Sequence, residues 1–191
     1  MIIGLTGGIA SGKTTVSKIL KTKGFLIYDA DEIAREISKE EEVKKELISY
    51  FGEQILDKAS NIDRKKLKDI VFKDKEKLEE LNRIIHPRVY VFFKSIREKN
   101  DYKKTIVFDV PLLFESGIDK LCDKILLVLA NRELKIKRII KRDGISKELA
   151  EKIIGSQMSD DEKIKKADII IKNNDSIEDL KEQVERFCVY L

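Results

Sequence analysis

Eight residues near the start of the chain, Gly7-Gly8-Ile9-Ala10-Ser11-Gly12-Lys13-Thr14, constrain the fold more than any other stretch. They match the pattern G-x-x-x-x-G-K-[ST] at every fixed position. The apolar run Ile2-Ile3-Gly4-Leu5 precedes them and an amphipathic run (Val16, Ile19, Leu20) follows, so the motif stands in the strand–loop–helix setting that it needs. A glycine-rich turn can aim several backbone N–H groups at one anion without Cβ clashes, and the helix behind it adds its positive N-terminal end. In that reading Lys13 reaches the β- and γ-phosphates and the Thr14 hydroxyl ligates Mg²⁺. The plainer alternative is a flexible glycine turn at a strand end. The dinucleotide-binding spacing G-x-G-x-x-G does not fit these residues.

The rest of the chain reads as an α/β protein. Strand one covers about residues 1–5 and the first helix about residues 13–23, ended by Gly24. Phe25-Leu26-Ile27-Tyr28 reads as a buried strand that delivers Asp29-Ala30-Asp31 to its carboxyl end, where ligands bind in open α/β sheets. Asp31 there either serves a ligand or caps a helix running from Glu32 to Ile37. From about residue 40 to residue 100 only helical periodicity appears, carried by Val43, Leu47, Ile48 and Phe51, then by Leu67, Ile70 and Val71, entered through Asp63. A third helix (Leu78, Leu81, Ile85) is expected to stop at His86 because Pro87 follows, with Pro87 opening a fourth that carries Val89, Phe92, Phe93 and Ile96. Such a block is either a substrate-binding domain or a packing cap. His86 is the one histidine, and by itself it reads as a satisfied helix-end residue.

Thr105 to Phe108 returns to strand and ends in Asp109, which is placed either to hold a Mg²⁺-bound water or to cap the turn. Residues 125–130 and 169–171 complete five strands alternating with helices, a pattern for a mostly parallel sheet with right-handed crossovers. Between the last two lies the most basic helix, Arg132 to Arg142, with Ile136, Ile139 and Ile140 on one face and Lys135, Arg138 and Arg142 on another. The basic face is either a lid that closes arginines over a nucleotide or an ordinary solvated surface.

Composition narrows the function classes. At 191 residues the chain can bury one substantial core, and Lys plus Arg exceed Asp plus Glu by only 39 to 35, with the two signs interleaved. That balance favours small anionic ligands over a nucleic-acid surface. Cys122 and Cys188 lack metal-ligand spacing and read as reduced core thiols. Neither a membrane span nor a signal-peptide layout is apparent, so the expected setting is cytoplasmic, with no membrane partner. A GTP-binding switch would need N-K-x-D and a D-x-x-G after the third strand, and neither is present.

Taken together, the residues resemble the dephospho-CoA kinase family along nearly the whole chain. Gly4-Leu5-Thr6-Gly7-Gly8-Ile9 leading into Ser11-Gly12-Lys13-Thr14 resembles its phosphate loop, and Asp29-Ala30-Asp31 with Ala34-Arg35 its next block. Ile62-Asp63-Arg64, Leu67, Val71-Phe72 and Ile85-His86-Pro87 resemble its helical substrate domain. Asp109 to Glu115, Arg138, Arg142-Asp143-Gly144, Gln157-Met158, Ala167-Asp168 and Asn173 resemble its third strand end, lid and final strand. The loop departs at Ala10 and Thr14, where the family often has Gly and Ser, and Ile153 stands where many members carry a lid arginine.

The resemblance implies a P-loop NTPase-type α/β core with a five-stranded parallel sheet (about residues 1–39, 101–131 and 166–191). It adds an inserted helical CoA-substrate domain (about 40–100) and a short helical lid (about 132–165). The implied reaction transfers the ATP γ-phosphoryl group to the 3′-hydroxyl of dephospho-CoA, with Mg²⁺ bridging the phosphates. Lys13, Asp31, Arg138 and Arg142 would carry catalysis. ATP would be held by Gly7, Gly8, Ala10, Ser11, Gly12, Lys13, Thr14 and Thr15, with Arg142 and Asn173. Asp31, Arg35, His86 and Arg88 would face the acceptor, and Thr14 and Asp109 the metal. The runner-up is another small-molecule kinase, such as a nucleoside monophosphate kinase.

Overall fold

The structure, a computed structural model, describes residues 1–71, 73–100 and 104–190. Phe72, and residues 101–103 and 191 of the expected core segments, lie outside them. Contacts divide the chain into two compact units, one made of residues 1–29 and 97–191 and the other of residues 30–96.

The first unit is built on a five-stranded sheet of order β2-β3-β1-β4-β5, parallel throughout. Its strands are β1 (Ile2–Gly7), β2 (Leu26–Asp29), β3 (Ile106–Asp109), β4 (Lys124–Leu129) and β5 (Ile169–Lys172). β1 is buried at all its residues because it lies between β3 and β4, so it reads as a continuous apolar run and not as an alternating one. Helices α1 (Lys13–Thr22) and α9 (Ile177–Val189) lie on the sheet: Val16 and Leu20 of α1 and Leu180, Val184 and Phe187 of α9 share one core with Ile3, Leu5, Val107, Leu126, Val128 and Ile171. The chain leaves β1 toward β3 and β2 on one side and returns to β4 and β5 on the other. The order therefore reverses at the carboxyl end of β1, the place where open α/β sheets bind ligands. Register puts Leu5 beside Asp109 and Asp109 beside Asp29 at that end.

Between β4 and β5 the chain forms α6 (Arg132–Asp143), α7 (Lys147–Gly155) and α8 (Asp160–Ile164). Local signals set these bounds. Gly144 ends α6 in the left-handed conformation at φ 67°, the Ser146 hydroxyl accepts the Leu149 N–H to start α7, and Ser159 with Glu162 makes a reciprocal capping box on α8. Ile136, Ile139 and Ala150 form a small core of their own, against which Ile9 and Ala10 of the glycine loop pack.

The second unit contains α2 (Ala30–Ile37), α3 (Glu41–Phe51), α4 (Arg64–Val71) and most of α5 (Lys75–Asn100). As expected, the Asp63 carboxylate accepts the N–H groups of Lys65 and Lys66 at the start of α4. Two expectations fail here. α2 begins at Ala30, so Asp31 sits inside its first turn and is not the N-cap. Pro87 neither stops one helix nor starts another: it lies inside the single helix α5. An interior proline costs about 3 kcal/mol, but Ile84, Ile85, Val89 and Phe93 are all buried along α5, each contributing about 1.5–3 kcal/mol. Pro87 leaves the Arg83 carbonyl without its backbone donor, and in the same turn the Arg88 guanidinium donates to the next carbonyl, that of Ile84, at 2.6 Å.

Candidate active site

The glycine loop joins β1 to α1 at the switch point of the sheet, and the structure shows why its residues are small. A Cβ on Gly7 would come within 2.5 Å of the Ser11 Oγ and 2.6 Å of the Val128 carbonyl oxygen. Gly12 has φ 98°, and a Cβ there would overlap the Asn173 amide at 1.9 Å. Ala10 adopts φ 59°, a left-handed conformation that costs an ordinary residue about 1–2 kcal/mol, so the loop carries stored strain at the position where glycine would carry none.

Side chains from outside the loop fix its peptide planes. Asn173, 8% exposed just past β5, donates from Nδ2 to the Ser11 carbonyl at 2.8 Å. Because the peptide is planar and trans, drawing the Ser11 carbonyl one way aims the Gly12 N–H the other way. Arg138 on α6 donates to the Ala10 carbonyl and to the Asn173 carbonyl, both at 3.2 Å. Gln157, between α7 and α8, accepts the Ile9 N–H at 2.9 Å. The loop is thus shaped as an anion cradle at a helix N-terminus before any ligand arrives.

Lys13 opens α1 and donates from Nζ to the Asp109 carboxylate at the end of β3. Asp109 is 2% exposed, and that burial raises its pKa above the ordinary 3.8 against the opposing pull of the Lys13 charge and of hydrogen bonds from Lys13 and Ser17. Thr14 is exposed at the start of α1. A hydroxyl and a carboxylate are hard oxygen donors, and among the described residues no cluster of three or more acidic, histidine or cysteine side chains forms a complete cation cage. This donor set fits Mg²⁺, which keeps several waters and takes few protein ligands beside the phosphates of its substrate.

The basic face of α6 resolves into three different environments. Lys135 is buried and paired with Asp160 of α8 at 2.5 Å, so the solvated-surface alternative fails for it: α8 packs over it and supplies the counter-charge. Arg138 is committed to the Ala10 and Asn173 carbonyls described above. Arg142 is exposed, and its guanidinium makes a two-pronged contact with the carboxylate of its neighbour Asp143 at 2.8 Å. Asp160 carried no sequence signal for its place beside the loop, whereas Gln157 stood in a stretch that resembles the family and Lys135 on the basic face of α6.

In the helical unit, Asp31 and Arg35 are exposed one turn apart on α2, and His86 is exposed on α5. Arg88 is half-buried and pairs with Glu46 of α3 at 2.7 Å. None of its helices, and none elsewhere among the described residues, is long and apolar enough to cross a membrane.

A family model described as dephospho-CoA kinase matches residues 1–179. The chain belongs to the dephospho-CoA kinase family. A dephospho-CoA kinase of Fusobacterium nucleatum is 64% identical over 188 residues, covering 98% of this chain and 97% of that protein. One from Listeria monocytogenes is 45% identical over 188 residues, covering 97% and 94%. Among solved structures, the dephospho-CoA kinase from Campylobacter jejuni superposes with a TM-score of 0.75 at 34% identity, over 98% of this chain and 95% of that one. Membership accounts for the combination that the phosphate loop alone leaves open, since that loop serves many kinases, whereas the family match runs through the helical unit and the α6–α8 segment as well.

Proposed function

We infer that the protein transfers the γ-phosphoryl group of ATP to dephospho-CoA, giving coenzyme A and ADP. The observation that carries this reading is the family match from residue 1 to residue 179, on a chain whose phosphate loop, Lys13 and Asp109 are assembled at the switch point of the sheet. Phosphoryl transfer requires little covalent help, so positioning and charge stabilisation dominate.

In this mechanism the N–H groups of the loop and of the first turn of α1 hold the phosphates. Lys13 leaves Asp109 for the β- and γ-phosphoryl oxygens and neutralises charge as the bond to the leaving group loosens. Thr14 and Asp109 would hold Mg²⁺, which would supply charge neutralisation for the phosphates. Arg138 keeps the loop in shape and Arg142 exchanges Asp143 for the nucleotide as the α6–α8 segment closes as a lid. Asn173 acts on ATP through the loop that it braces. Asp31 orients the acceptor 3′-hydroxyl and takes its proton, with Arg35, His86 and Arg88 on the acceptor side.

The test is ADP release measured with dephospho-CoA, AMP, CMP and UMP as acceptors. Turnover on dephospho-CoA alone is expected. Similar turnover on a mononucleotide would overturn the assignment in favour of a nucleoside monophosphate kinase.

A further inference from the structure

Lys163, on α8, has no exposed surface, and its Nζ makes no hydrogen bond. A buried ammonium without an acceptor is costly, and in native proteins such groups mark a missing partner. Burial lowers its pKa below the ordinary 10.5, while Glu115 and Asp160 act on it electrostatically in the opposite sense and Lys135 reinforces the lowering. Two of those neighbours, Asp160 of α8 and Lys135 of α6, lie against the glycine loop. A Cβ on Gly8 would stand 3.4 Å from Asp160 Oδ1 and 3.6 Å from Lys135 Nζ, with Gln157 Oε1 at 3.8 Å.

The acidic members of this cluster already have partners. Asp160 accepts from Lys135, and Glu115, in the loop after β3, accepts the Met158 N–H at 3.2 Å. Lys135 therefore has a counter-ion within hydrogen-bond distance, and Lys163 does not. The Lys135–Asp160 pair sits on the first residues of the phosphate loop and leaves a second ammonium beside it, lacking an oxygen acceptor. A phosphate oxygen would satisfy that ammonium and would be drawn to it strongly in a site shielded from water.

We propose that Lys163 is a further phosphate-binding residue of the reaction, a buried ammonium that receives a phosphate oxygen of the bound nucleotide when α8 shifts over the glycine loop and uncovers it. It adds a cation on the α8 side of the transferred group. This inference rests on the reading that the loop takes ATP.

The test compares wild type with Lys163→Met, which keeps the stem and removes the charge, and with Lys163→Gln. Each is melted free and with a non-hydrolysable ATP analogue plus Mg²⁺, and single-turnover transfer to dephospho-CoA is measured at saturating ATP. The free Met variant should melt at or above wild type, since an apolar group replaces an unpartnered buried charge. Its melting increment on adding the analogue should shrink, and transfer should slow by about a hundredfold, the low end for loss of one transition-state donor. The increment is internal to each variant, so it decides even if a free variant melts lower. An increment and a transfer rate equal to wild type in both variants would overturn the proposal, as would a lower free melting temperature with the increment unchanged. If wild type itself fails to phosphorylate dephospho-CoA yet responds to the analogue, the function assigned above fails and the binding role of Lys163 is still decided by the increments.

Discussion

The Lys135–Asp160 ion pair offers a test in which the two halves of one interaction should differ in cost. The lysine side chain is 4% exposed and the aspartate side chain 35%. In Asp160→Ala the ammonium of Lys135 stays buried without its counter-ion, and breaking a buried pair from one side costs about 3–5 kcal/mol. Because the carboxylate is partly solvated, the lower figure applies. In Lys135→Met the stem is kept, and Asp160 can turn to water, so the loss should stay below about 1 kcal/mol, as for a partly screened pair. For a chain of this size 1 kcal/mol corresponds to about 2–4 °C, so Asp160→Ala should lower the melting temperature by about 6–12 °C and Lys135→Met by less than about 4 °C. Thermal unfolding of both variants and of the double variant, followed by circular dichroism, is the assay. The double variant should be more stable than Asp160→Ala alone, because the orphaned charge is then gone. Equal losses in the two single variants, or a larger loss in Lys135→Met, would refute the reasoning from burial.

Lys13→Ala should leave the fold intact and lower turnover by about two to three orders of magnitude, read from steady-state ADP release. Arg142→Ala should change the melting temperature by no more than about half a kcal/mol allows, because the guanidinium is exposed and paired with its sequence neighbour Asp143, while the rate of transfer falls. At Asp31, a proton-accepting role predicts that Asp31→Asn is nearly as poor as Asp31→Ala, with single-turnover losses of about 10² to 10⁴. Retention of most of the rate by Asn would assign the side chain to positioning instead. Burial pushes the Cys122 thiol from its ordinary 9.0 up to about 12, so between those values the unfolded chain ionises and the native one does not. Stability from this group is therefore full below pH 9 and falls as the pH rises toward 12, and at pH 8 native Cys122 should resist alkylation until the chain is unfolded.

Much of the α/β core is local in origin and legible without coordinates. Short β-branched runs bounded by glycine and aspartate give the strands, and the loop pattern with its flanking strand and helix leaves little choice of setting. The helix ends with identifiable caps were readable for the same reason: Asp63 bonds to N–H groups two and three residues away. Pro87 misled because a local rule, the loss of one backbone bond, was outweighed by burial along the rest of α5, a quantity that depends on partners distant in sequence. α2 began one residue before Asp31 for a similar reason, since buried Ala30 already belongs to the helix.

The identity of the candidate site divides along the same line. The sequence by itself determined the residue types: a glycine loop with the phosphate-binding spacing, a lysine and a threonine behind it, aspartates at two strand ends, and a family-wide combination of motifs. Only the tertiary structure decided what each charge faces. Lys135, Arg138 and Arg142 look equivalent on a helical wheel, yet one is buried against Asp160, one ties the Ala10 carbonyl of the loop to the Asn173 carbonyl past β5, and one lies exposed beside Asp143. Periodicity records which residues share a face of one helix, whereas burial and pairing arise from α8 and the final strand packing around that face across gaps of 25 and 35 residues.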